Sequence, residues 1–379
     1  MTKYSYPYEK HYVTTEDGYI LEMSRVLPRL YNQNTNTSIP FKIYPNLMAK
    51  SPGEPVLLMH GLMCSGRVFV SHDADKALAF ILVNHGYDVY LGNARGNTNS
   101  RRHVTLDPDL DAKEFWDYSL HEIGVLDQAA MIDYIIALTG FNQVSFVGHS
   151  QGGTTFLTMT AGRPETNAKI KIGFSLGGPG VMRYTPSILA RRISSYEKEY
   201  LAMANRLEIY EVLKYAPIFR DLAKILIDEE FGLRNMISQV LNVINIITTY
   251  NMNIEIMAVL ASACPAGTSV HQFIHYFQSI KNGDFRFFDY HDKTKNLEKY
   301  GSEIPPRYNL SAITCKSILY YSKDDFFIQE KDTFLMSNQM PNAIPVEVKV
   351  DKFSHADYMW ARDINNILFK DLLWRMRNA

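Results

Sequence analysis

Val144-Ser145-Phe146-Val147 is a short apolar run, and Gly148-His149-Ser150-Gln151-Gly152-Gly153 follows it directly. The run predicts a buried strand, and Thr154 to Ala161, free of Gly and Pro, predicts a helix just after it. A strand that passes into a helix over so few residues must turn sharply, with Ser150 at the apex. Glycines at 148 and 152 leave room where a Cβ would meet the neighbouring strand and helix. Such a turn lifts the Ser150 hydroxyl off the sheet. It also aims the helix's first N–H groups at the point where negative charge develops when a carbonyl is attacked.

The same G-x-S-x-G spacing occurs again at Gly173-Phe174-Ser175-Leu176-Gly177. There Gly177-Gly178-Pro179-Gly180 follows, a poor start for a helix. Lys169 to Ser175 therefore reads as the next strand, and Ser175 as an ordinary residue near its end. Only Ser150 has the strand–turn–helix context of a nucleophile in α/β-hydrolases.

At 379 residues the chain can hold one large α/β domain with an insertion, or two domains. A formal charge of −1 gives a nucleic-acid partner no electrostatic support. The three cysteines, Cys64, Cys264 and Cys315, exclude a disulfide scaffold; one bridge is possible, but spacing does not place it. No C-x-x-C or H-E-x-x-H spacing is present, so neither metal nor cofactor is expected. Met1 to Pro7 lacks an apolar leader core; either a leader lies outside this numbering or the protein stays inside the cell. Val240 to Ser262 is apolar but interrupted by Asn242, Asn245, Asn251, Asn253 and Glu255, so no transmembrane span is expected. Asn36-Thr37-Ser38 and Asn309-Leu310-Ser311 are glycosylation patterns, meaningful in a secreted chain.

Tyr8 to Leu27 reads as a hairpin turning at Thr15-Glu16-Asp17-Gly18. Pro55 to Met59 reads as a strand ending in His60-Gly61-Leu62-Met63, where a glycine turn could aim the Leu62 N–H at Ser150. Together with the Gln151 N–H it would form an oxyanion hole. Lys76 to Val83 predicts a helix, and Tyr87 to Leu91 a strand. Gly92 to Asn97 is then either a polar brace for the site or a solvated turn. After Phe115 to Ser119 comes a long helix whose core stripe is Ile123, Leu126, Ala130 and Tyr134, stopped by Gly140. This alternation implies an α/β-hydrolase fold, with a mainly parallel central sheet and helices on both faces.

From Tyr184 the pattern becomes helical, with Ile188, Leu189, Ile193, Ile218, Phe219, Leu222, Ile225, Met236, Ile237 and Val240 among its apolar residues. Most are expected to form the core of an inserted cap, a minority to line a pocket. The chain divides into a first core part (1–183), a helical cap or lid (184–307) and a second core part (308–379). Ser317 to Tyr321 and the alternating Val346, Val348 and Val350 read as further strands. Trp360, Ile364, Ile367, Leu368 and Leu372 mark a closing helix.

In this fold the acid and then the base follow the serine. His355 is the only histidine after His291, and it lies on the loop after the last strand. The acid should follow an earlier strand, which selects Asp324 or Asp325. Glu330 and Asp332 read as first-turn helix acids, and Asp357 as a neighbour of the base.

These residues resemble the acid lipases: gastric lipase, lysosomal acid lipase and their insect relatives. The likeness runs from about Tyr8 to Trp374. It rests on Tyr12 to Leu21, His60-Gly61-Leu62, Gly86 to Asn97, Phe115 to Ser119, Gly148 to Gly152, Pro265 to Ser269 and His355-Ala356-Asp357. The resemblance implies a lipase acting on triglycerides or sterol esters, secreted or lysosomal, touching lipid transiently through its cap. It puts the nucleophile on Ser150 and the base on His355. Its Gly-Gly-x-Asp acid motif lies over Ser322-Lys323-Asp324-Asp325, favouring Asp325 with Asp324 as runner-up. Two departures stand out: Ser322 and Lys323 replace glycines, and the cap holds one cysteine, Cys264, where the gastric enzyme has a pair, which implies a looser lid. The alternatives are an esterase for short soluble esters and a non-catalytic lipid-binding protein of the same fold.

Overall fold

The computed structural model describes residues 4–28, 31–32, 37–38, 53–214, 216–227, 236, 238–239 and 248–379. Ile237, Val240 and the Asn36 acceptor lie outside them. The main sheet contains β1 (Tyr8–Thr14), β2 (Tyr19–Val26), β3 (Pro55–Met59), β4 (Asp88–Gly92), β5 (Val144–His149), β6 (Ile170–Leu176), β7 (Ser317–Tyr321) and β8 (Ala343–Glu347). Their spatial order is β1-β2-β4-β3-β5-β6-β7-β8. β1 and β2 form an antiparallel hairpin, and β2 runs antiparallel to β4. From β4 to β8 every pairing is parallel. β3, β4, β5 and β7 are buried along their whole length, as expected for strands covered on both faces.

The order reverses at β3: its successor β4 lies on one side, and β5 on the other. The crevice between the carboxyl ends of β3 and β5 is where such sheets bind ligands. His60 leaves β3 into that crevice, and Ser150 leaves β5.

Three helices follow the strands: α1 (Leu78–Asn84), α2 (Ala129–Thr139) and α3 (Gln151–Gly162). Gly140, at φ 75°, ends α2. The expected stripe before it needs correction. A π-helical turn, Ile123–Gln128, precedes α2 and rotates the buried face. Ile123, Met131, Ile132 and Ile135 are buried, whereas Leu126, Ala130 and Tyr134 are only half-buried. The last strand also differs from expectation. β8 pairs with β7 only from Ala343 to Glu347, opposite Ser317 to Tyr321; the Val348 N–H makes one more bond, to Tyr321 O at 2.8 Å, and Val350 lies beyond the pairing. The closing helix is divided into Asp357–Trp360, a π-helical turn Asn365–Phe369, and Lys370–Arg377.

Between β6 and β7 no described residue joins the main sheet. This stretch carries α4 (Ile188–Ser194), α5 (Pro217–Ile227) and α6 (Val270–Asn282). A two-residue pairing, Glu211–Val212 with Thr268–Ser269, links two segments within it. α6 docks on α3 through the Tyr276 hydroxyl, which donates to Thr154 Oγ1 at 3.1 Å. The expectation that the apolar residues here mostly form a core is overturned. Ile188 is 75% exposed and Ile218 66%; Leu189, Ile193, Leu222, Ile225 and Met236 are exposed too, and Phe219 is half-buried. These side chains lie on helix faces that nothing in the described chain covers.

Cys64 and Cys264 are joined as a disulfide across 200 residues of sequence, and Cys315 is a buried free thiol. The bridge ties Cys264, in the helical stretch between β6 and β7, to the loop after β3. Asn309 is exposed at a short turn. Among the described residues no helix is long and apolar enough to cross a membrane.

Candidate active site

Ser150 takes φ 53° and ψ −119°, a conformation that side-chain-bearing residues rarely adopt. Three hydrogen bonds hold it there. Its N–H donates to Leu176 O at 3.0 Å, and the N–H groups of Gly153 and Thr154 donate back to Ser150 O at 2.9 and 3.1 Å. The flanking glycines are sterically required. A Cβ on Gly148 would lie 2.2 Å from the Gly152 carbonyl carbon, and one on Gly152 would lie 2.1 Å from Met59 O. Ser175 sits inside β6, buried beneath this turn, where a Cβ on Gly153 would approach its Oγ to 2.3 Å.

His355 Nε2 lies 2.8 Å from Ser150 Oγ. On the other side of the ring, Nδ1 lies 2.9 Å from Asp325 Oδ2 and 3.1 Å from Oδ1. Asp325 is buried, and its Oδ1 also accepts the Phe327 N–H at 2.7 Å. Asp324 points elsewhere: its Oδ2 accepts the Lys352 N–H at 2.7 Å. In the tight turn after β7 the two adjacent carboxylates diverge. Ser322, where the acid lipases have glycine, is buried and accepts the Asp324 N–H at 3.2 Å. Lys323 projects outward to Glu347 at 3.0 Å.

The loop after β3 lies against the serine: a Cβ on Gly61 would be 3.2 Å from Ser150 Cβ and 3.6 Å from its Oγ. Leu62 follows directly. Gln151 opens α3, where an N–H has no intrahelical acceptor. His60 anchors the loop. Its Nδ1–H donates to Gly61 O at 2.8 Å, and its Nε2 accepts the Ala94 N–H and the Asn97 amide, each at 3.1 Å. Burial lowers the His60 pKa to about 4, so the ring is neutral and Nε2 stays an acceptor.

Of the two readings of Gly92 to Asn97, bracing is the observed one. Asn93 accepts the Gly66 N–H at 2.9 Å and donates to Glu22 O at 3.0 Å. Arg95 is buried between Asp127 and Asp17, at 2.7 and 2.6 Å.

Two further residues support the base: His149, given no role in the sequence, and Asp357, read there only as its neighbour. His149 donates from Nε2 to His355 O at 3.2 Å; burial first, then the neighbouring His355 ring, lowers its pKa to about 3. Asp357 accepts the Ser354 N–H at 2.6 Å and the Ser354 hydroxyl at 2.9 Å, and burial raises its pKa to about 6. It steadies the loop that carries His355. The Ser354-x-x-Asp357 spacing, a capping-box pattern, was the available sign. Among the described residues no cluster of three or more His, Cys, Asp or Glu is placed to hold a metal.

Ser150, His355 and Asp325 thus stand in one hydrogen-bonded line at the sheet edge, with Gly61 and the start of α3 beside the serine. The family model described as a partial alpha/beta-hydrolase lipase region matches residues 1–73, and the alpha/beta hydrolase fold model matches residues 54–171. Lipase 1 of Drosophila melanogaster is 36% identical over 98% of this chain and 77% of its own length. Lipase 3 of the same organism is 33% identical over 98% and 90%. Gastric triacylglycerol lipase of Homo sapiens is 31% identical over 98% and 88%. Among solved structures, one from Sulfolobus solfataricus matches at TM-score 0.60 with 15% identity, covering 95% of this chain and 90% of that one. At that identity the likeness speaks for the fold alone. Relatives of this similarity over nearly the full length, on this sheet, make the chain a member of the acid lipase family, ester hydrolases of the α/β-hydrolase fold.

Proposed function

We propose that the protein is a lipase that cleaves carboxylic esters of neutral lipids, triglycerides or sterol esters, through an acyl-enzyme on Ser150. The observation that carries this reading is the hydrogen-bonded line from Ser150 Oγ through His355 to Asp325. Neutral His355 takes the hydroxyl proton as Oγ attacks the ester carbonyl. Asp325 keeps the Nδ1–H tautomer and stabilises the imidazolium. The N–H groups of Leu62 and Gln151 receive the oxyanion, each worth roughly 3 kcal/mol of barrier. His355 then hands the proton to the leaving alcohol, and water attacks the acyl-enzyme with the same base. His60 and His149 stay neutral and hold the loops.

The lipid preference is supported by the likeness to gastric triacylglycerol lipase of Homo sapiens and by the exposed apolar faces of α4 and α5. In this reading residues 184–307 form a cap that meets a lipid surface through those faces, between core parts 1–183 and 308–379. The Cys64–Cys264 bridge suits a secreted or lysosomal setting, since such bonds persist under oxidising conditions.

Hydrolysis of emulsified triolein and of soluble butyrate esters, by wild type and Ser150→Ala in parallel, tests the proposal. Ser150-dependent release of oleate is the expected result. Turnover of butyrate alone would turn the reading to an esterase. Unchanged activity in Ser150→Ala would remove the mechanism.

A further inference from the structure

We propose that the Cys64–Cys264 disulfide is a positioning element for the oxyanion loop, so that part of the transition-state stabilisation depends on a covalent tie from the helical insertion. This rests on the ester-hydrolase reading of the site.

The Leu62 N–H belongs to a tight turn closed by the Cys64 N–H donating to Gly61 O at 3.2 Å. Within it Met63 has φ 55°, a left-handed conformation that a side-chain-bearing residue keeps only when its surroundings hold it. One end of the turn, Gly61, is pressed against Ser150 and anchored through His60. The other end is held by residues about 200 positions later in the chain, together with Asn93 and Asn97. Cys64 is bonded to Cys264. The Ala266 N–H donates to Met63 O at 2.7 Å, and the Ser65 hydroxyl donates to Ala263 O at 3.2 Å. The strap is itself held to the bracing loop, since the Thr98 N–H and hydroxyl donate to Ala266 O at 2.7 and 2.9 Å. The Asn97 amide closes the circle, donating to Cys64 O at 3.3 Å.

The turn bearing Leu62 is therefore clamped between Ser150 and residues 263–266. An oxyanion donor works only when pre-set within a few tenths of an ångström of where the charge develops. Releasing the far clamp lets Met63 relax to negative φ, and the Leu62 N–H swings with it. Ground-state binding of the ester would be little affected.

The experiment uses the full chain in two forms. One is Cys64→Ala/Cys264→Ala. The other is folded wild type treated with a water-soluble phosphine and then alkylated. Here the S–S bond takes two electrons from the phosphine and two protons from water, leaving two thiols, and the water oxygen ends on the phosphine oxide. The reduced protein needs no refolding, so it decides the matter if the double variant does not fold. At a temperature well below unfolding, kcat on a soluble butyrate ester is expected to fall about 10- to 100-fold with KM nearly unchanged. Affinity for an alkyl boronic acid, which forms a tetrahedral adduct on the serine, should fall by a similar factor. If kcat and boronate affinity stay within about twofold of the bridged enzyme and only thermal stability drops, the bridge merely staples the fold and the proposal fails. If bridged Ser150→Ala keeps full activity, the site reading fails, and the proposal with it.

Discussion

Asp325→Asn separates a working acid from an adjacent carboxylate. Asp325 Oδ1 accepts the Phe327 N–H at 2.7 Å, and an asparagine carbonyl oxygen would keep that bond. The amide NH2 then takes the place of Oδ2, facing His355 Nδ1 at 2.9 Å. A donor there forces Nδ1 to accept, which moves the ring proton to Nε2, toward Ser150. The base can no longer take the serine proton. By analogy with other serine triads the loss is about 10⁴-fold in kcat, or about 5.5 kcal/mol, with KM little changed. Asp324→Asn keeps a carbonyl oxygen that can still accept the Lys352 N–H and lies outside the proton path, so it should cost at most about 1 kcal/mol of stability and little activity. Steady-state kinetics on a butyrate ester, with fluorophosphonate titration of Ser150, measures both. Asp325→Asn within about threefold of wild type, or a comparable loss in Asp324→Asn, would refute the reasoning.

Gly152→Ala places a Cβ 2.1 Å from Met59 O; it should lower stability by about 1–3 kcal/mol in thermal or urea unfolding and deplete activity, because backbone must move under Ser150. Asp357, raised to about 6 in the fold from about 3.9 when unfolded, binds its proton more tightly in the native state. Its contribution is therefore full below about pH 4 and lost as pH rises through about 6, with a slope of at most about 1.4 kcal/mol per pH unit. Urea unfolding at several pH values should find that slope reduced in Asp357→Asn; parallel curves would contradict it. Ile188→Ser with Ile218→Ser should reduce hydrolysis of emulsified triolein while leaving soluble-ester turnover and stability nearly unchanged, within about 0.5 kcal/mol, since both side chains are exposed. Equal loss on both substrates would speak against surface contact.

Local chemistry was the legible part. Buried parallel strands read as apolar runs, and the glycine spacing around Ser150 reflects packing so close that an added Cβ at 152 would lie 2.1 Å from Met59 O. The helix stop at Gly140 was also legible, because a left-handed cap prefers glycine. The α2 stripe was misread because a π-helical turn inserts an extra residue without leaving a pattern. The last strand was misread because pairing length depends on the partner, and β7 stops at Tyr321.

Local patterns were enough for the succession of strands and helices and the sharp turn at Ser150, and shared motifs for the family. The first two depend on short-range sterics and hydrophobic period; the family rests on the resemblance of its motifs. Other features waited for tertiary structure. Asp324 and Asp325 are neighbours with the same chemistry; only the direction of the turn after β7 puts one toward His355 and the other toward Lys352. Cys64 and Cys264 lie 200 residues apart, so no spacing could pair them, yet the folded chain brings their Cα atoms to 4.4 Å. The apolar residues of α4 and α5 look alike in sequence whether they face a core or solvent; only packing leaves Ile188 and Ile218 uncovered.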